Sequence, residues 1–142
     1  MKLDEAVIQA PNYTQKVLIE RHQNGPIVFE QCASSGAKNL QLFFYWSKQF
    51  QNVSFLFIDE FDAFYHNDPA RNIVKYVSEL NDIQIILTTH NSSLASNDLL
   101  RPDCYFMLDK GKLAAFVDIT DRELREGHNI EKMLRNGEFS IE

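Results

Sequence analysis

The sequence predicts an α/β fold with a mostly parallel sheet flanked by helices and a terminal β-hairpin. Residues 53–60 (VSFLFIDE) and 83–90 (IQIILTTH) are apolar at successive positions, which is typical of strands covered by helices on both faces. Residues 70–80 between them carry apolar side chains at helical spacing, so the three segments form one strand–helix–strand unit. Strands joined in this way are parallel neighbours, and ligands bind beyond their carboxyl ends.

The part of the chain before these strands is predicted to hold a hairpin and one buried helix. The predicted elements, in order, are a helix end or tail at 1–13, a strand at 16–22, a turn at 23–26, a strand at 27–31, a loop at 32–37 and a helix at 38–50. Ser34 or Ser35 is placed to cap that helix. Its aromatic stripe, residues 43–46, and the strand side chains Phe55 and Phe57 are expected to pack in the core.

The part of the chain after the first buried strand is predicted to be mainly helical, with one hairpin. The predicted elements are a helix at 70–80 begun by Asp68 and Pro69, a short helix at 92–100 entered through Asn91 or Ser92, a hairpin with its turn at 109–112, and short helices at 120–125 and 129–135. The sequence contains no repeat and no linker-like segment. Residues 1–142 are therefore expected to form a single domain.

Composition narrows the class of protein. The formal net charge is −6, which argues against a free-standing nucleic-acid binder because such proteins neutralise phosphates with Lys and Arg. No apolar run reaches the roughly 18 residues of a membrane span. Asp4 and Glu5 lie where a secretory signal would be apolar, so a cytoplasmic location is expected. Cys32 and Cys104 lack ligand spacing and are expected to be buried, reduced thiols.

Two consecutive carboxylates, Asp59 and Glu60, end the first buried strand. Side chains alternate along a strand, so the two diverge: one can hold a magnesium ion while the other faces an attacking water as general base. Adjacent acids at a strand end are unfavourable unless a cation or a polar site receives them. The alternative is a solvated junction between strand and loop.

A histidine, His90, ends the second buried strand, after Thr88 and Thr89. Because the two strands are predicted to be neighbours, His90 is expected near Asp59 and Glu60, where its imidazole could contact a terminal phosphate. The alternative is a capping histidine whose hydrogen bonds are satisfied locally.

The segment SSGAK combines a flexible glycine with hydroxyls at the start of a helix. The N–H groups of that helix point outward and make a site for an anion, to which Lys38 adds positive charge. The alternative is a capped helix start without a ligand.

In this order, SSGAK, FLFIDEFDAFYH, ILTTHN, RPDCYFMLDKGK and HNIEKMLRNGEF resemble the C-terminal part of ABC-type ATPases of the SMC/RecF-related branch. The resemblance is to the bacterial AAA-domain proteins of the OLD-like and abortive-infection kind, and it spans nearly the whole chain from Lys16 onwards. It implies the C-terminal lobe of a P-loop NTPase that binds ATP with Mg²⁺ and transfers the terminal phosphoryl group to water.

The resemblance assigns roles to the residues that end the two strands. Asp59 takes the place of the Walker B aspartate, which helps to hold Mg²⁺. Glu60 takes the place of the catalytic glutamate, which polarises the attacking water, and His90 that of the switch histidine. Residues 63–66 take the place of the D-loop, which crosses a dimer interface. Three aromatic side chains in this region, Phe61, Phe64 and Tyr65, are therefore expected to contact a partner subunit or lobe.

The resemblance also implies that the site is shared between subunits. Ser34, Ser35, Gly36, Ala37 and Lys38 take the place of the signature loop, which contacts the γ-phosphate of a nucleotide held by a second subunit. The implied partners are a Walker A half from upstream in the same protein and a second copy of the chain. DNA or an effector nuclease would be reached through other domains, and no membrane is implied.

The chain departs from the family pattern in several places. Ala37 replaces the second signature glycine, Lys38 a glutamine and His66 the D-loop aspartate. None of the five glycines starts the GxxxxGK[ST] loop of Walker A. The chain is thus expected to be an expressed fragment, a truncated gene product or half of a split protein, and to be inactive alone.

Two other functions remain open. One is a non-catalytic interaction domain that keeps the lobe for protein contacts. The other is a metal-dependent hydrolase with Asp59, Glu60, His66 and His90 as ligands, which no HxH or HxxxH spacing supports.

Overall fold

The computed structural model describes residues 3–121, 124 and 127–141, and it divides into two compact units. The N-terminal unit is Met1–Gln49 and the C-terminal unit is Phe50–Glu142. A single domain over residues 1–142 stays a prediction. None of the helices in the described part of the chain is long and apolar enough to cross a membrane.

The N-terminal unit is built on a three-stranded antiparallel sheet. Its strands are β1 (Leu3–Ala10), β2 (Tyr13–His22) and β3 (Gly25–Val28), in the order β1-β2-β3. The prediction of a helix end or tail at the start of the chain was wrong. The segment is a strand because it pairs with β2 along its whole length, from Leu3 opposite Glu20 to Ala10 opposite Tyr13. The two strands form a hairpin with a two-residue turn at 11–12, and strand propensity depends on such pairing more than on the local pattern.

Two helices, α1 (Phe29–Cys32) and α2 (Ser35–Ser47), follow the sheet. The strand predicted at 27–31 was wrong in its second half, because Phe29 opens α1 and is only 1% exposed. The cap of α2 is Ser34 rather than Ser35, since the Ser34 side chain accepts a hydrogen bond from the Ala37 N–H at 3.2 Å. Capping of this kind satisfies one of the free N–H groups of the first turn.

The helix α2 was expected to be well buried, and this was wrong. None of its residues is buried, and Phe44, Tyr45 and Trp46 are each more than half exposed. An apolar stripe becomes core only when a second layer covers it, and the other described elements of the N-terminal unit do not bury this one.

The C-terminal unit begins with the predicted strand–helix–strand unit. Strand β4 (Phe55–Ile58) pairs in parallel with β5 (Gln84–Leu87), and α3 (Asn67–Ser78) connects them. The prediction that the two strands are parallel neighbours is confirmed. Asp68 lies in the first turn of α3 rather than at its cap, which is His66.

The two faces of the strand–helix–strand unit differ in exposure. The helix α3 buries Ala70, Ile73, Val74 and Val77. Phe55 and Phe57 were expected under helices, but both are more than half exposed, so one face of the parallel pair is uncovered.

The last part of the chain contains the predicted hairpin, β6 (Phe106–Asp109) and β7 (Lys112–Ala115), and the predicted helix α4 (Ile130–Arg135). Lys110 and Gly111 form the turn with φ values of 47° and 80°, as a two-residue hairpin turn of the primed kind requires. The helix predicted at 92–100 is only a 3₁₀ turn, Ser92–Leu94. The helix predicted at 120–125 falls largely on residues 122, 123 and 125, which lie outside the described residues.

A hydrophobic cluster holds this last part together. It consists of Ala95, Phe116, Ile130, Met133 and Phe139. The rings of Phe116 and Phe139 stack with their centroids 4.4 Å apart. The 1% exposure of Ile130 shows that α4 closes the cluster.

The fold as described is a mixed α/β structure with small sheets. One of the four strand pairings among the described residues, β4 with β5, is parallel, and the other three are antiparallel. Cys32 and Cys104 are free thiols, as expected, but both are exposed rather than buried. Each is the last residue of a short helical segment, Phe29–Cys32 or Pro102–Cys104.

Candidate functional site

The two parallel strands end side by side, and the polar residues that follow them meet there. Ile58 and Leu87 are partners in the last row of the ladder. The backbone pairing then continues past the strands: the Thr88 N–H donates to the Ile58 carbonyl at 3.0 Å and the Phe61 N–H donates to the Thr88 carbonyl at 3.2 Å. The register therefore brings Asp59 and Glu60 next to the residues that follow β5.

Thr88 fastens both acidic residues, and sequence reasoning did not assign it this role. Its hydroxyl donates a hydrogen bond to the Asp59 Oδ1 at 2.5 Å and accepts one from the Glu60 N–H at 2.8 Å. A threonine hydroxyl can donate once and accept, so both of its functions are used here. One oxygen of the Asp59 carboxylate is held in this way, and the other is available to a cation.

Glu60 has a strained backbone. Its φ is 44°, in the left-handed region that residues other than glycine rarely adopt. Such a conformation costs roughly 1–3 kcal/mol and persists where the surroundings fix it. Here the hydrogen bonds to Thr88 fix it, together with the Ala63 N–H, which donates to the Glu60 carbonyl at 3.0 Å. The chain therefore turns at Glu60 and leaves the direction of β4.

His90 meets Glu60, as the sequence predicts. The His90 Nε2 lies 3.4 Å from the Glu60 Oε1, and the side chains are 92% and 60% exposed. A contact so exposed contributes little to stability because water screens it. Both side chains line an open cleft of about 250 Å³, with Asp62, Ala63 and Asn91.

The loop that carries His90 is tied to the start of α3. The Asn91 N–H donates to the Thr89 Oγ1 at 2.9 Å, and the Asn91 Oδ1 accepts from the Ser93 N–H at 3.1 Å. The Ser93 hydroxyl lies 2.7 Å from the Asn67 Oδ1, at the first residue of α3. These bonds hold the residues on both sides of His90 while its side chain stays exposed.

The aromatic residues after the acids do not share one environment. Phe61 was expected to contact a partner, but it is buried within the described chain. Tyr65 is partly buried, and burial raises the pKa of its hydroxyl. Phe64 is 60% exposed, so of the three it is the one whose ring is available to a partner.

The segment predicted as a signature loop lies in the N-terminal unit. Ser34 uses its side chain as the cap of α2, and its carbonyl accepts from the Lys38 N–H at 3.0 Å. Ser35 and Lys38 are exposed, while Gly36 and Ala37 are half-buried. The segment therefore presents a hydroxyl and a cation at the beginning of a 13-residue helix, where N–H groups attract anions.

The four ligands of the metal-dependent hydrolase alternative do not converge. Among the described residues, no three of Asp59, Glu60, His66 and His90 bring their ligand atoms together. His66 is instead the cap residue of α3. The pair that meets is Glu60 and His90.

Comparison with known proteins gives one finding. The family model described as "AAA domain, putative AbiEii toxin, Type IV TA system" matches residues 2–96. This range contains SSGAK, both acids and His90, and it ends before β6 and β7. No curated protein and no solved structure matches the chain.

Proposed function

We propose that the chain is the C-terminal lobe of an ABC-type ATPase of the SMC/OLD-like branch. The chain belongs to the AAA-domain family described above, and that family points to an ATPase-type nucleotide-binding function. The observation that carries the proposal is the placement of Asp59, Glu60 and His90 at the carboxyl ends of neighbouring parallel strands. Ligands of α/β sheets bind at such ends.

Each of the three side chains has a distinct part in the proposed hydrolysis. Asp59 would help to hold Mg²⁺, a hard cation that prefers oxygen ligands, through the carboxylate oxygen that Thr88 does not bind. When bound, the ion would supply positive charge for the phosphates. Glu60 orients the attacking water and accepts its proton. His90, whose Nε2 lies 3.4 Å from the Glu60 Oε1, would contact the terminal phosphate. Such chemistry rests on positioning and on the stabilisation of charge.

The signature segment completes the proposed site from a second subunit. The N-terminal N–H groups of α2, the Ser35 hydroxyl and the exposed Lys38 would face the γ-phosphate of a nucleotide bound by the partner copy. This arrangement requires a homodimer and a Walker A half, for which we propose the upstream part of the same protein. The sequence supports that division, because it contains no GxxxxGK[ST] loop.

The exposed face of the parallel pair also supports a covering lobe. Phe55, Phe57 and Ile86 are all exposed on neighbouring strands. Contiguous apolar surface of this kind marks a site of contact with another protein surface.

Coupling of the ATPase to DNA processing or phage defence rests on the resemblance and on the toxin named in the family description.

The test is ATP hydrolysis by the chain joined to the coding region that precedes it, with Glu60→Gln alongside. We expect hydrolysis that depends on Mg²⁺, and its loss by about 100-fold or more in Glu60→Gln while ATP still binds. Glu79→Gln is the matched control, because it removes an exposed carboxylate from the same unit at the end of α3. It should hydrolyse ATP at the unchanged rate.

The second candidate is a non-catalytic interaction domain, which the exposed aromatic side chains of α2 favour. If the joined protein neither binds nor hydrolyses ATP, the ATPase proposal is wrong and this candidate replaces it. A joined protein in which Glu60→Gln and Glu79→Gln hydrolyse ATP equally would remove Glu60 from the mechanism.

A further inference from the structure

Three side chains of different chemistry converge in the N-terminal unit, and none of them was assigned a role above. Glu20 and His22 lie on β2, and Cys32 ends α1. Their ligand atoms, one carboxylate oxygen, one imidazole nitrogen and one thiol sulfur, all lie within 4.8 Å of one another. Among the described residues, this is the group of three such side chains that converges.

The distances between these atoms are close to those of a tetrahedral zinc site. With zinc bonds of about 2.0–2.3 Å, the edges of a tetrahedron are about 3.3–3.6 Å. The Cys32 Sγ lies 3.8 Å from the Glu20 Oε2, and the His22 Nε2 lies 3.7 Å from the same oxygen. Two of the three edges therefore need only a few tenths of an ångström of movement. The third, between Cys32 and His22, is at most 4.8 Å and so needs at most about 1 Å, which a side-chain rotation supplies.

The fold itself brings the three residues together. Glu20 and His22 are two positions apart on β2, so their side chains leave the same face of the sheet. The turn after His22 and the short strand β3 return the chain alongside β2, with His22 opposite Gly25. The buried Phe29 then anchors α1 against this unit and places Cys32 over Glu20.

We propose that Glu20, His22 and Cys32 form a binding site for Zn²⁺, with a water molecule as the fourth ligand. The set combines thiolate, imidazole and carboxylate, which a borderline-soft ion accepts and Mg²⁺ does not. The Cys32 thiol, which now lies 3.6 Å from the Phe29 carbonyl, loses its proton to solvent when the metal binds. Affinity therefore increases with pH.

The site lies two residues before the SSGAK segment, and it does not depend on the proposed ATPase function. Zinc would join the end of α1 to β2 and fix the path of the chain into Ser34, the cap of α2. Because Zn²⁺ would bind the folded state and not the unfolded state, it should also raise the melting temperature of the chain.

The decisive measurement is metal binding by the full chain in a thiol-free reductant, with Co²⁺ as the spectroscopic probe and Zn²⁺ as the competitor. We expect one Co²⁺ per chain, a sulfur-to-cobalt charge-transfer band and displacement by Zn²⁺ but not by Mg²⁺. Cys32→Ser should remove the band and weaken Zn²⁺ binding by about 100-fold or more, and His22→Gln should weaken it similarly. Cys104→Ser is the matched control, since Cys104 is the chain's other exposed free thiol.

Alkylation of the same protein gives an independent readout. Zn²⁺ should slow modification of Cys32 about tenfold or more while Cys104 in the same molecule reacts at an unchanged rate, because only a coordinated thiolate is protected. If Cys32→Ser and wild type bind Zn²⁺ equally, or if Zn²⁺ protects neither thiol, the proposal is wrong. Circular dichroism checks that the variants fold, and the alkylation test on unmutated protein decides the matter if one does not.

Discussion

The two long helices of the molecule have similar lengths and opposite environments. The helix α3 is polar on one side and buries four apolar residues, whereas α2 is apolar on more than one side and buries none. Helical spacing of apolar residues therefore predicted both helices, but it did not predict burial. Burial depends on whether a second layer covers the stripe, and that information is not in the helix.

The largest expected effect is a difference between α3 and α2 in how much an alanine substitution lowers the free energy of unfolding. Ile73→Ala in α3 should lower the free energy of unfolding by about 2–5 kcal/mol, because it leaves a cavity beside buried neighbours. Leu42→Ala in α2 should change it by less than about 0.5 kcal/mol, because that side chain is half exposed. Urea unfolding followed by circular dichroism measures both. Equal losses would show that α2 is covered in solution, for example by a second copy.

The next effect concerns the hydrogen bonds that the Thr88 hydroxyl makes between the ends of β4 and β5. Thr88→Val removes the hydroxyl that Asp59 and the Glu60 N–H share, and should lower the free energy of unfolding by about 1–3 kcal/mol. Thr88→Ser keeps the hydroxyl and should keep most of that stability. Urea unfolding of the two variants separates the hydroxyl from the methyl group. A loss as large in Thr88→Ser would mean that packing, not hydrogen bonding, is what Thr88 contributes.

The strained backbone of Glu60 predicts a change of the opposite sign. Glu60→Gly should raise the free energy of unfolding by about 0.5–1 kcal/mol, because glycine adopts a φ of 44° without the steric penalty of a side chain. This net value allows for the conformational entropy that glycine gains in the unfolded chain, which opposes the effect. Glu60→Ala removes the carboxylate but retains the strain, so it should not be stabilising. Thermal unfolding of the pair tests this. A gain in both variants would assign the effect to the charge near Asp59 instead.

These sites show what could be predicted from the sequence and what could not. The pairing of β4 with β5 and the meeting of Glu60 with His90 followed from one strand–helix–strand pattern, because that pattern has one favoured geometry. The hydrogen bonds of Thr88 and the left-handed turn at Glu60 arise only once two distant segments are adjacent. The strand β1 was missed for a different reason: it is the first strand of a hairpin with a two-residue turn, and its conformation depends on pairing with β2.

The N-terminal unit also held a grouping that reading along the chain did not reveal. Glu20, His22 and Cys32 have no ligand spacing typical of a zinc motif, because Cys32 reaches the other two only after the chain reverses at the β2–β3 turn. Cys32 itself is exposed and ends α1, a helix of only four residues.

The smallest expected effect is a pH dependence of the stability that the contact between Arg71 in α3 and Asp98 contributes. A hydrogen bond from the Ser96 hydroxyl and the nearby charge of Arg71 in α3 lower the pKa of Asp98. A lowered pKa in the folded state means that the stabilisation is present above the pKa of the unfolded chain and is lost as pH falls through the folded value. Asp98→Asn should therefore lower the free energy of unfolding by about 0.2–1 kcal/mol at neutral pH, as for exposed ion pairs, and by less in acid.

The matched control for this effect is Asp103→Asn. Asp103 also has a lowered pKa, but its partner Arg101 is two residues away in the chain, so the pair joins no separate elements. Its loss should leave unfolding at neutral pH unchanged, because a contact so local in sequence survives in part when the chain unfolds. Equal effects in the two variants would mean that Asp98 does not tie α3 to the segment after β5. In that case the buried apolar residues of α3 alone would account for the contrast with α2.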